Sequence, residues 1–133
     1  MEGKRTTAQA KKILLLEDEV TLANLYYKKL SEAGHVVQLC KDAQELLSSY
    51  KAFDPDAAIL DNTLKGDIRS GMDLIPVLKK SNPKIKIAML SNHSEFHMEA
   101  AARKAGANDY LLKINMSPKQ LVDYVDQLFA KNV

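Results

Sequence analysis

Five polar residues of this 133-residue chain stand directly after short apolar runs, and their types suit chemistry on an anionic group. They are three acids, a hydroxyl and an ammonium: Glu17, Asp18, Asp61, Ser91 and Lys113. If the runs are parallel strands, their carboxyl ends lie at one edge of the sheet, and the five residues should converge on one pocket. Carboxylates crowded in this way repel and raise one another's pKa.

A hard divalent cation relieves that repulsion, and Mg²⁺ suits an oxygen-only set of ligands best. Zinc is disfavoured, because it prefers nitrogen and sulfur ligands. A metal that faces an ammonium and a hydroxyl can stabilise phosphoryl oxygens. A carboxylate can also accept a phosphoryl group as an acyl phosphate. The pattern therefore predicts Mg²⁺-assisted phosphoryl chemistry.

Apolar runs and helical patterns alternate along the chain, strand then helix, five times. The run 57–60 has no polar interruption and stops at Asp61, which is typical of a strand buried on both faces. Residues 35–40 mix apolar and polar side chains, as an edge strand does. The predicted strands cover residues 13–16, 35–40, 56–61, 85–90 and 109–112.

Apolar residues at helical spacing predict a helix after each strand. Gly34 and Gly106 should end the first and fourth helices in the left-handed conformation. Capping boxes that begin at Asp42 and Ser117 should open the second and fifth helices. The third helix should begin near Gly71, and the fourth should cover about residues 94–105. Apolar stripes at helical spacing are Leu22, Leu25, Tyr26, Leu30 and Ala33, then Leu74, Ile75 and Leu78, then Leu121, Val122, Val125, Leu128 and Phe129.

Such alternation predicts an α/β fold, a doubly wound five-stranded parallel sheet with helices on both faces and strand order 2-1-3-4-5. That order places the first strand beside the third, and hence Glu17 and Asp18 beside Asp61. Residues 1–10 are polar and predict a flexible basic N-terminal tail ahead of one domain at residues 11–133.

The composition excludes several classes of protein. Basic residues in the first twelve positions account for the net charge of +2, so the body has no broad basic face and nucleic-acid binding is not expected. The apolar run 13–16 is too short for a signal peptide or a membrane span. A single cysteine, Cys40, fits a reducing cytoplasm and is expected to be a partly buried strand residue.

Across residues 12–130 the sequence resembles the receiver domain of bacterial two-component response regulators, whose fold is flavodoxin-like. It looks like a stand-alone, chemotaxis-regulator-like member. The resemblance rests on Leu15-Leu16-Glu17-Asp18-Glu19, Ile59-Leu60-Asp61, Met89-Leu90-Ser91 and the segment from Ala105 through Asp109-Tyr110-Leu111-Leu112 to Lys113. Each segment alone is weak, but their order and spacing together are not expected by chance.

The resemblance implies that Asp61 is the phosphoacceptor for a phosphohistidine on a sensor histidine kinase or a histidine phosphotransfer protein. It implies that Asp18 and Asp61 hold Mg²⁺, with Glu17 acting largely through water and the main-chain carbonyl of Thr63 as a further ligand. Lys113 would pair with a phosphoryl oxygen. Such a domain phosphorylates and dephosphorylates itself, so its status as a turnover enzyme stays open.

A switch is also implied by the resemblance. Ser91 would bond another phosphoryl oxygen and let Tyr110 move inward, which changes the face made by helix four, strand five and helix five. That face would signal to an unknown downstream protein. The positions that would control access to the phosphoryl group are Thr63, Asn92 and His93.

The chain departs from the family pattern at several positions. Ser91 replaces the usual threonine, Asn92 is larger than the usual small residue, and Lys65 stands where a proline is common. Gly71 comes two residues late, which indicates a longer loop. Ile114 replaces the proline that commonly follows a cis bond after the lysine. A cis bond before isoleucine costs about 2.5–4 kcal/mol, so we expect Lys113–Ile114 to be trans.

Alternatives from other classes remain open. One is a phosphorylation-independent protein-interaction module, and another is a small aspartate-based phosphatase of the haloacid dehalogenase type. In that phosphatase two aspartates at strand one surround a spacer, whereas Glu17 and Glu19 take those places here. A flavodoxin-like cofactor site would need a glycine-rich loop after strand one, which the sequence lacks. His93 and His97 lie four residues apart, but a solvated helix face explains them better than a metal site.

Overall fold

A computed structural model describes residues 10–62, 71–92 and 96–130 of the chain. The strands are β1 Lys12–Leu16, β2 Val36–Cys40, β3 Ala57–Asp61, β4 Lys86–Ser91 and β5 Asp109–Leu112. The helices are α1 Val20–Glu32, α2 Ala43–Phe53, α3 Ile75–Ser81, α4 Phe96–Ala105 and α5 Pro118–Ala130. Short 3₁₀ helices at Gly71–Leu74 and Lys113–Asn115 precede α3 and α5.

The five strands form one sheet in the order β2-β1-β3-β4-β5, with every neighbouring pair parallel. The predicted fold class and strand order are thus confirmed. Leu16 of β1 pairs with Leu60 of β3, and Asp61 pairs with Leu90 of β4. This register brings the residues that follow β1 level with the last residue of β3, because both strands run in the same direction.

Side chains of the sheet alternate between two apolar layers, as the period of a strand requires. One face packs against α2, α3 and α4, and the other packs against α1 and α5. The first layer includes Leu14, Leu16, Leu60, Met89, Leu46, Leu74, Leu78 and Ala102. The second includes Ile13, Leu15, Ile59, Leu90, Tyr26, Leu30, Leu121 and Val125. The central strand β3 is buried along its whole length, which explains its uninterrupted apolar sequence.

Several helix ends follow the predicted capping chemistry. Gly34 and Gly106 adopt φ values of 100° and 123°, the left-handed conformation that glycine tolerates best. At the start of α5, the Gln120 amide donates to the Ser117 hydroxyl at 3.2 Å, while the Ser117 amide donates to the Gln120 side chain at 2.8 Å. The Asp42 side chain caps α2 by accepting from the Glu45 amide at 2.8 Å.

Some details differ from the sequence-based expectations. Cys40 is fully rather than partly buried, because α2 begins three residues later and covers the end of β2. Leu25 shares the helical spacing of the core positions, yet 47% of it is exposed on the outer side of α1. The predicted tail lies almost wholly outside the described residues. Within those residues, no helix has both the length and the apolar character that crossing a membrane requires.

Candidate functional site

The predicted pocket lies at the carboxyl edge of the sheet. Glu17 directly follows β1, and its amide donates to the Cys40 carbonyl at 3.0 Å, which extends the β1–β2 pairing by one residue. Asp61 and Ser91 are the last residues of β3 and β4. All three side chains are buried, with Glu17 1% exposed and both Asp61 and Ser91 0% exposed. Buried polar groups of this kind need partners, because their desolvation is otherwise uncompensated.

Three carboxylates meet in the pocket. Glu17, Asp18 and Asp61 each offer a carboxylate oxygen, and these oxygens all lie within 4.8 Å of one another. Asp18 is half-buried, so solvent reaches the three carboxylates from the side of Asp18. Glu17 also accepts a hydrogen bond from the Glu19 amide at 3.1 Å, which fixes its orientation. An all-oxygen group with this spacing fits a hard cation such as Mg²⁺.

Lys113 neutralises part of this acidic group. Its Nζ donates to Asp61 Oδ2 at 3.0 Å and to Glu17 Oε2 at 3.1 Å. It also lies 3.0 Å from Glu17 Oε1, without hydrogen-bond geometry to that atom. Burial lowers the pKa of the Lys113 ammonium, but the hydrogen bond to Glu17 and the charge of Asp61 together outweigh it. The pKa of Lys113 is therefore raised above its ordinary value, and the group is a cation at neutral pH.

The turn after β5 carries Lys113 into the pocket. Residues Lys113–Asn115 form the 3₁₀ helix, which the Met116 amide closes by donating to the Lys113 carbonyl at 3.0 Å. No peptide bond within the described residues is cis, so the expected trans bond before Ile114 is confirmed. The Ile114 side chain is 89% exposed and adds almost no packing to the turn.

The other predicted site residues lie on or directly after β4, on β5, or outside the described part of the chain. Ser91 ends β4, between the strands that carry Asp61 and Lys113. Tyr110 is half-buried on β5 and packs against the layer formed with α2, α3 and α4. Asn92 is exposed beside Ser91. Thr63 and His93 fall outside the described residues, as does Lys65.

Two residues beside the pocket, Gly71 and Tyr26, were named from the sequence only as parts of helices and loops, not as neighbours of the site. Gly71 packs so closely on β3 that a Cβ atom there would overlap the main-chain carbonyl of Asp61. The fully buried Tyr26 of α1 donates its hydroxyl to the Met116 carbonyl at 2.8 Å. Helical periodicity places Tyr26 on the inner side of α1, but a partner 90 residues away leaves no signal in a single sequence.

Together these groups form an acidic, largely buried cluster with one ammonium inside it. The carboxylates can hold a hard cation and present an oxygen nucleophile, while the ammonium can neutralise an incoming anionic oxygen. Within the described residues, no other group of three or more metal-binding side chains has this compact spacing.

Comparison with known proteins agrees with this geometry. Residues 13–126 match the profile of the response regulator receiver domain. The two-component response regulator PhoP of Pseudomonas aeruginosa is 35% identical over 102 residues, which are 77% of this chain and 44% of PhoP. The chemotaxis protein CheY of Halobacterium salinarum is 27% identical over 121 residues, which are 91% of this chain and 99% of that protein.

Among solved structures, NtrX from Brucella abortus superposes with a TM-score of 0.82 at 27% identity and covers 92% of this chain. The matched part is 28% of the NtrX chain, and the chain likewise spans less than half the length of PhoP. The profile match extends from β1 into α5 and includes every strand of the sheet. The chain therefore belongs to the response regulator receiver domain family.

Proposed function

We propose that this receiver domain accepts a phosphoryl group on Asp61, in a Mg²⁺-dependent transfer from a phosphohistidine of a sensor histidine kinase or histidine phosphotransfer protein. The observation that carries the proposal is the 3.0 Å contact between Lys113 Nζ and Asp61 Oδ2 inside the carboxylate group. A buried carboxylate next to both an ammonium and a cation-binding group is equipped to receive an anionic phosphoryl group.

In the transfer, a carboxylate oxygen of Asp61 attacks the phosphorus of the phosphorylated imidazole. A P–O bond forms while the P–N bond breaks, and the imidazole nitrogen keeps the electron pair and takes up a proton from solvent. Asp61 is 0% exposed and its Oδ2 is bonded to Lys113, so the pocket must open before the donor can reach a carboxylate oxygen. The ammonium then pairs with a phosphoryl oxygen instead. Water later hydrolyses the acyl phosphate and regenerates the carboxylate.

Glu17, Asp18 and Asp61 would hold Mg²⁺, and the carbonyl of Thr63, outside the described residues, would be a further ligand. When bound, the cation neutralises negative charge on the carboxylates and on the phosphoryl oxygens. The donor set supports this assignment, since it contains carboxylate oxygens and neither histidine nor cysteine.

Phosphorylation would change the face formed by α4, β5 and α5, and this face would transmit the signal. Ser91 would bond a phosphoryl oxygen and Tyr110 would turn inward, a local charge event that biases a packing change. Half-burial of Tyr110 on β5 is compatible with such a movement. We propose a downstream protein as the reader of this face and the cytoplasm as the compartment, while Thr63, Asn92 and His93 would control access to the acyl phosphate.

Intact mass after incubation with acetyl phosphate or phosphoramidate and Mg²⁺ tests the proposal. We expect wild type to gain one hydroxylamine-sensitive phosphoryl group, and Asp61→Asn to gain none. Asp123→Asn is the matched control, because Asp123 is exposed on α5 and pairs only with Lys119 among the described residues. Unchanged mass in wild type would favour an interaction module, whereas continuous release of phosphate from a small ester would favour a phosphatase.

A further inference from the structure

The turn that carries Lys113 is held by a residue from the opposite end of the chain. Tyr26 lies in the middle of α1, and its ring is fully buried against the α1–α5 layer of the core. Its hydroxyl reaches past this layer to donate to the Met116 carbonyl at 2.8 Å. The Met116 amide in turn closes the 3₁₀ helix on the Lys113 carbonyl at 3.0 Å. One residue thus connects α1 to the base of the Lys113 side chain.

The Met116 side chain is also partly buried against the α1–α5 layer, whereas the other residues between Lys113 and α5 are exposed. Ile114 and Asn115 are exposed, and Ile114 is 89% accessible, so their side chains do not fasten the turn to the core. The Ser117–Gln120 capping box fixes the start of α5, which follows Met116. The Tyr26 hydroxyl therefore adds a directed hydrogen bond to this apolar contact, and it holds the main chain of the residue that closes the turn on Lys113.

The position of the ammonium depends on this turn. Lys113 Nζ contacts Asp61 Oδ2 and Glu17 Oε2 at 3.0 and 3.1 Å, so a displaced main chain would have to be compensated by the flexible lysine stem for both contacts to be kept. The charges of the same carboxylates also affect the pKa of the Tyr26 hydroxyl. Burial and the charge of Glu17 raise the pKa of Tyr26 to about 12, so its hydroxyl is a donor at neutral pH.

We propose that Tyr26 is a positioning residue of the phosphoacceptor site, which holds the Lys113 turn through the Met116 carbonyl and thereby sets the ammonium against Asp61 and Glu17. This inference rests on the proposed function for its effect on phosphoryl transfer, but the positioning itself is a property of the unphosphorylated protein. Tyr26 touches neither the acceptor nor the donor, so its contribution passes through Lys113.

The experiment compares Tyr26→Phe with Tyr124→Phe. Both changes remove a partly buried hydroxyl hydrogen bond and keep the ring, but the Tyr124 hydroxyl bonds Asp109 at 2.7 Å at the amino end of β5, whereas Lys113 follows its carboxyl end. With phosphoramidate at saturating Mg²⁺, we expect Tyr26→Phe to lower the phosphorylation rate constant about three- to tenfold, the worth of one hydrogen bond. Its Mg²⁺ dissociation constant should stay within about twofold of wild type, since the carboxylates are untouched.

A double-mutant cycle separates positioning from a general loss of stability. In a Lys113→Met background, Tyr26→Phe should have no further effect on the phosphorylation rate, because the group that it positions is gone. An effect of equal size in both backgrounds would overturn the proposal, as would equal rates for Tyr26→Phe and Tyr124→Phe. Replacing Tyr26 with p-aminophenylalanine, which restores an N–H donor, should recover the rate if the hydroxyl bond is responsible.

A measurement without phosphate distinguishes failure of this inference from failure of the proposed function. The Lys113 side chain is 10% exposed and hydrogen-bonded, so its ammonium protons should exchange slowly and give a resolved ¹H–¹⁵N signal in Mg²⁺-free protein. We expect that signal to broaden or vanish in Tyr26→Phe and to persist in Tyr124→Phe. An unchanged signal in Tyr26→Phe would overturn the positioning role even where wild type proves to be phosphorylated. If wild type takes up no phosphoryl group, this signal alone decides the inference.

Discussion

Lys113 Nζ lies 3.0 Å from Asp61 Oδ2, although β5 and β3 are separated in the sheet by β4. The lysine stem therefore spans the end of β4 to reach the residues at the ends of β1 and β3. Because the same ammonium contacts Glu17, it joins the ends of β1, β3 and β5. The contact makes Lys113 the internal cation of a site that we propose also binds an external one.

Removing that internal cation should destabilise the fold and sharpen its response to Mg²⁺. Lys113→Met keeps most of the side-chain volume but leaves the buried Glu17 and Asp61 carboxylates uncompensated, which should cost about 3 kcal/mol without Mg²⁺. Millimolar Mg²⁺ should then raise the melting temperature of Lys113→Met more than that of wild type, because the carboxylates have no other counter-ion.

Lys119→Met is the control for this change, since Lys119 is 82% exposed and pairs with Asp123 on the surface of α5. Exposed ion pairs contribute little to the free energy of unfolding, so the stability of Lys119→Met should stay within about 1 kcal/mol of wild type. An equal response of wild type and Lys113→Met to Mg²⁺ in thermal melts would contradict the role given to this ammonium.

Binding of Mg²⁺ itself should stabilise the folded chain by mass action. At ten times the dissociation constant, the gain in unfolding free energy is about 1.4 kcal/mol. We expect the effect to disappear in Asp18→Ala, because Asp18 supplies one of the three oxygens that lie within 4.8 Å of one another. Thermal denaturation with Mg²⁺ against the same ionic strength of Na⁺ measures this. A wild-type melting temperature indifferent to Mg²⁺, or an equal response in Asp18→Ala, would show that the assignment is wrong.

Gly71 should be intolerant of even one added methyl group. A Cβ there would overlap the Asp61 carbonyl, so Gly71→Ala must push the end of β3 or the following 3₁₀ helix away. We expect a loss of about 2–3 kcal/mol in unfolding free energy, together with slower phosphorylation of Asp61. Chemical denaturation and intact-mass kinetics measure the two effects.

The matched change is Gly106→Ala. Its φ of 123° makes alanine strained, at a cost of about 1–3 kcal/mol, but its Cβ would meet only the flexible Lys79 side chain and Ile75. Gly106→Ala should therefore lose stability without losing the phosphorylation rate. If both glycine variants are phosphorylated at the wild-type rate, Gly71 does not hold Asp61 in place.

The fold was predictable from the sequence because its strongest signals are local. The apolar run before Asp61 is typical of a strand covered on both sides, and β5 was predicted with its observed ends. The capping-box residues Ser117 and Gln120 predicted the start of α5, and the structure shows both of their reciprocal hydrogen bonds. Once the strands are parallel, their order alone brings Glu17 next to Asp61.

The supports of the site were not predictable, because each depends on a contact between distant segments. The Tyr26 bond to Met116 spans 90 residues, and periodicity identifies only the side of α1 on which Tyr26 lies. Gly71 was expected to open a helix after a longer loop, whereas its packing on the Asp61 main chain follows from how that helix meets β3. Full burial of Cys40 depends in the same way on the placement of α2.

Asn92 should limit the access of small molecules to Asp61. It is exposed directly after Ser91, at the rim of the pocket, and it is bulkier than the small residue common in the family. We expect Asn92→Ala to be phosphorylated severalfold faster by acetyl phosphate, and the acyl phosphate of wild type to hydrolyse slowly. Time courses of intact mass give both rates. Hydrolysis in wild type as fast as in ordinary chemotaxis-type receivers, or no gain in Asn92→Ala, would argue against this role.

Stability should decline in alkaline solution, in part because of Tyr26. Burial and the charge of Glu17 raise its pKa to about 12, from an ordinary value of about 10. The folded chain therefore holds this proton more tightly than the unfolded chain. The Tyr26 contribution to the free energy of unfolding is complete below about pH 10 and is lost as the pH rises toward 12. The loss is at most roughly 3 kcal/mol. Tyr124 and Lys113 also have a raised pKa and act in the same direction.

Tyr26→Phe should therefore flatten the fall of unfolding free energy with pH, even though the variant starts from a lower stability at pH 7. Urea denaturation between about pH 9 and 11 measures the slope, and the difference from wild type isolates Tyr26 from the other two groups. Tyr27→Phe is the control, because Tyr27 is 43% exposed on the outer side of the same helix, and it should keep the wild-type profile. A Tyr26→Phe slope as steep as that of wild type would mean that the hydroxyl ionises as readily in the folded chain as in the unfolded one.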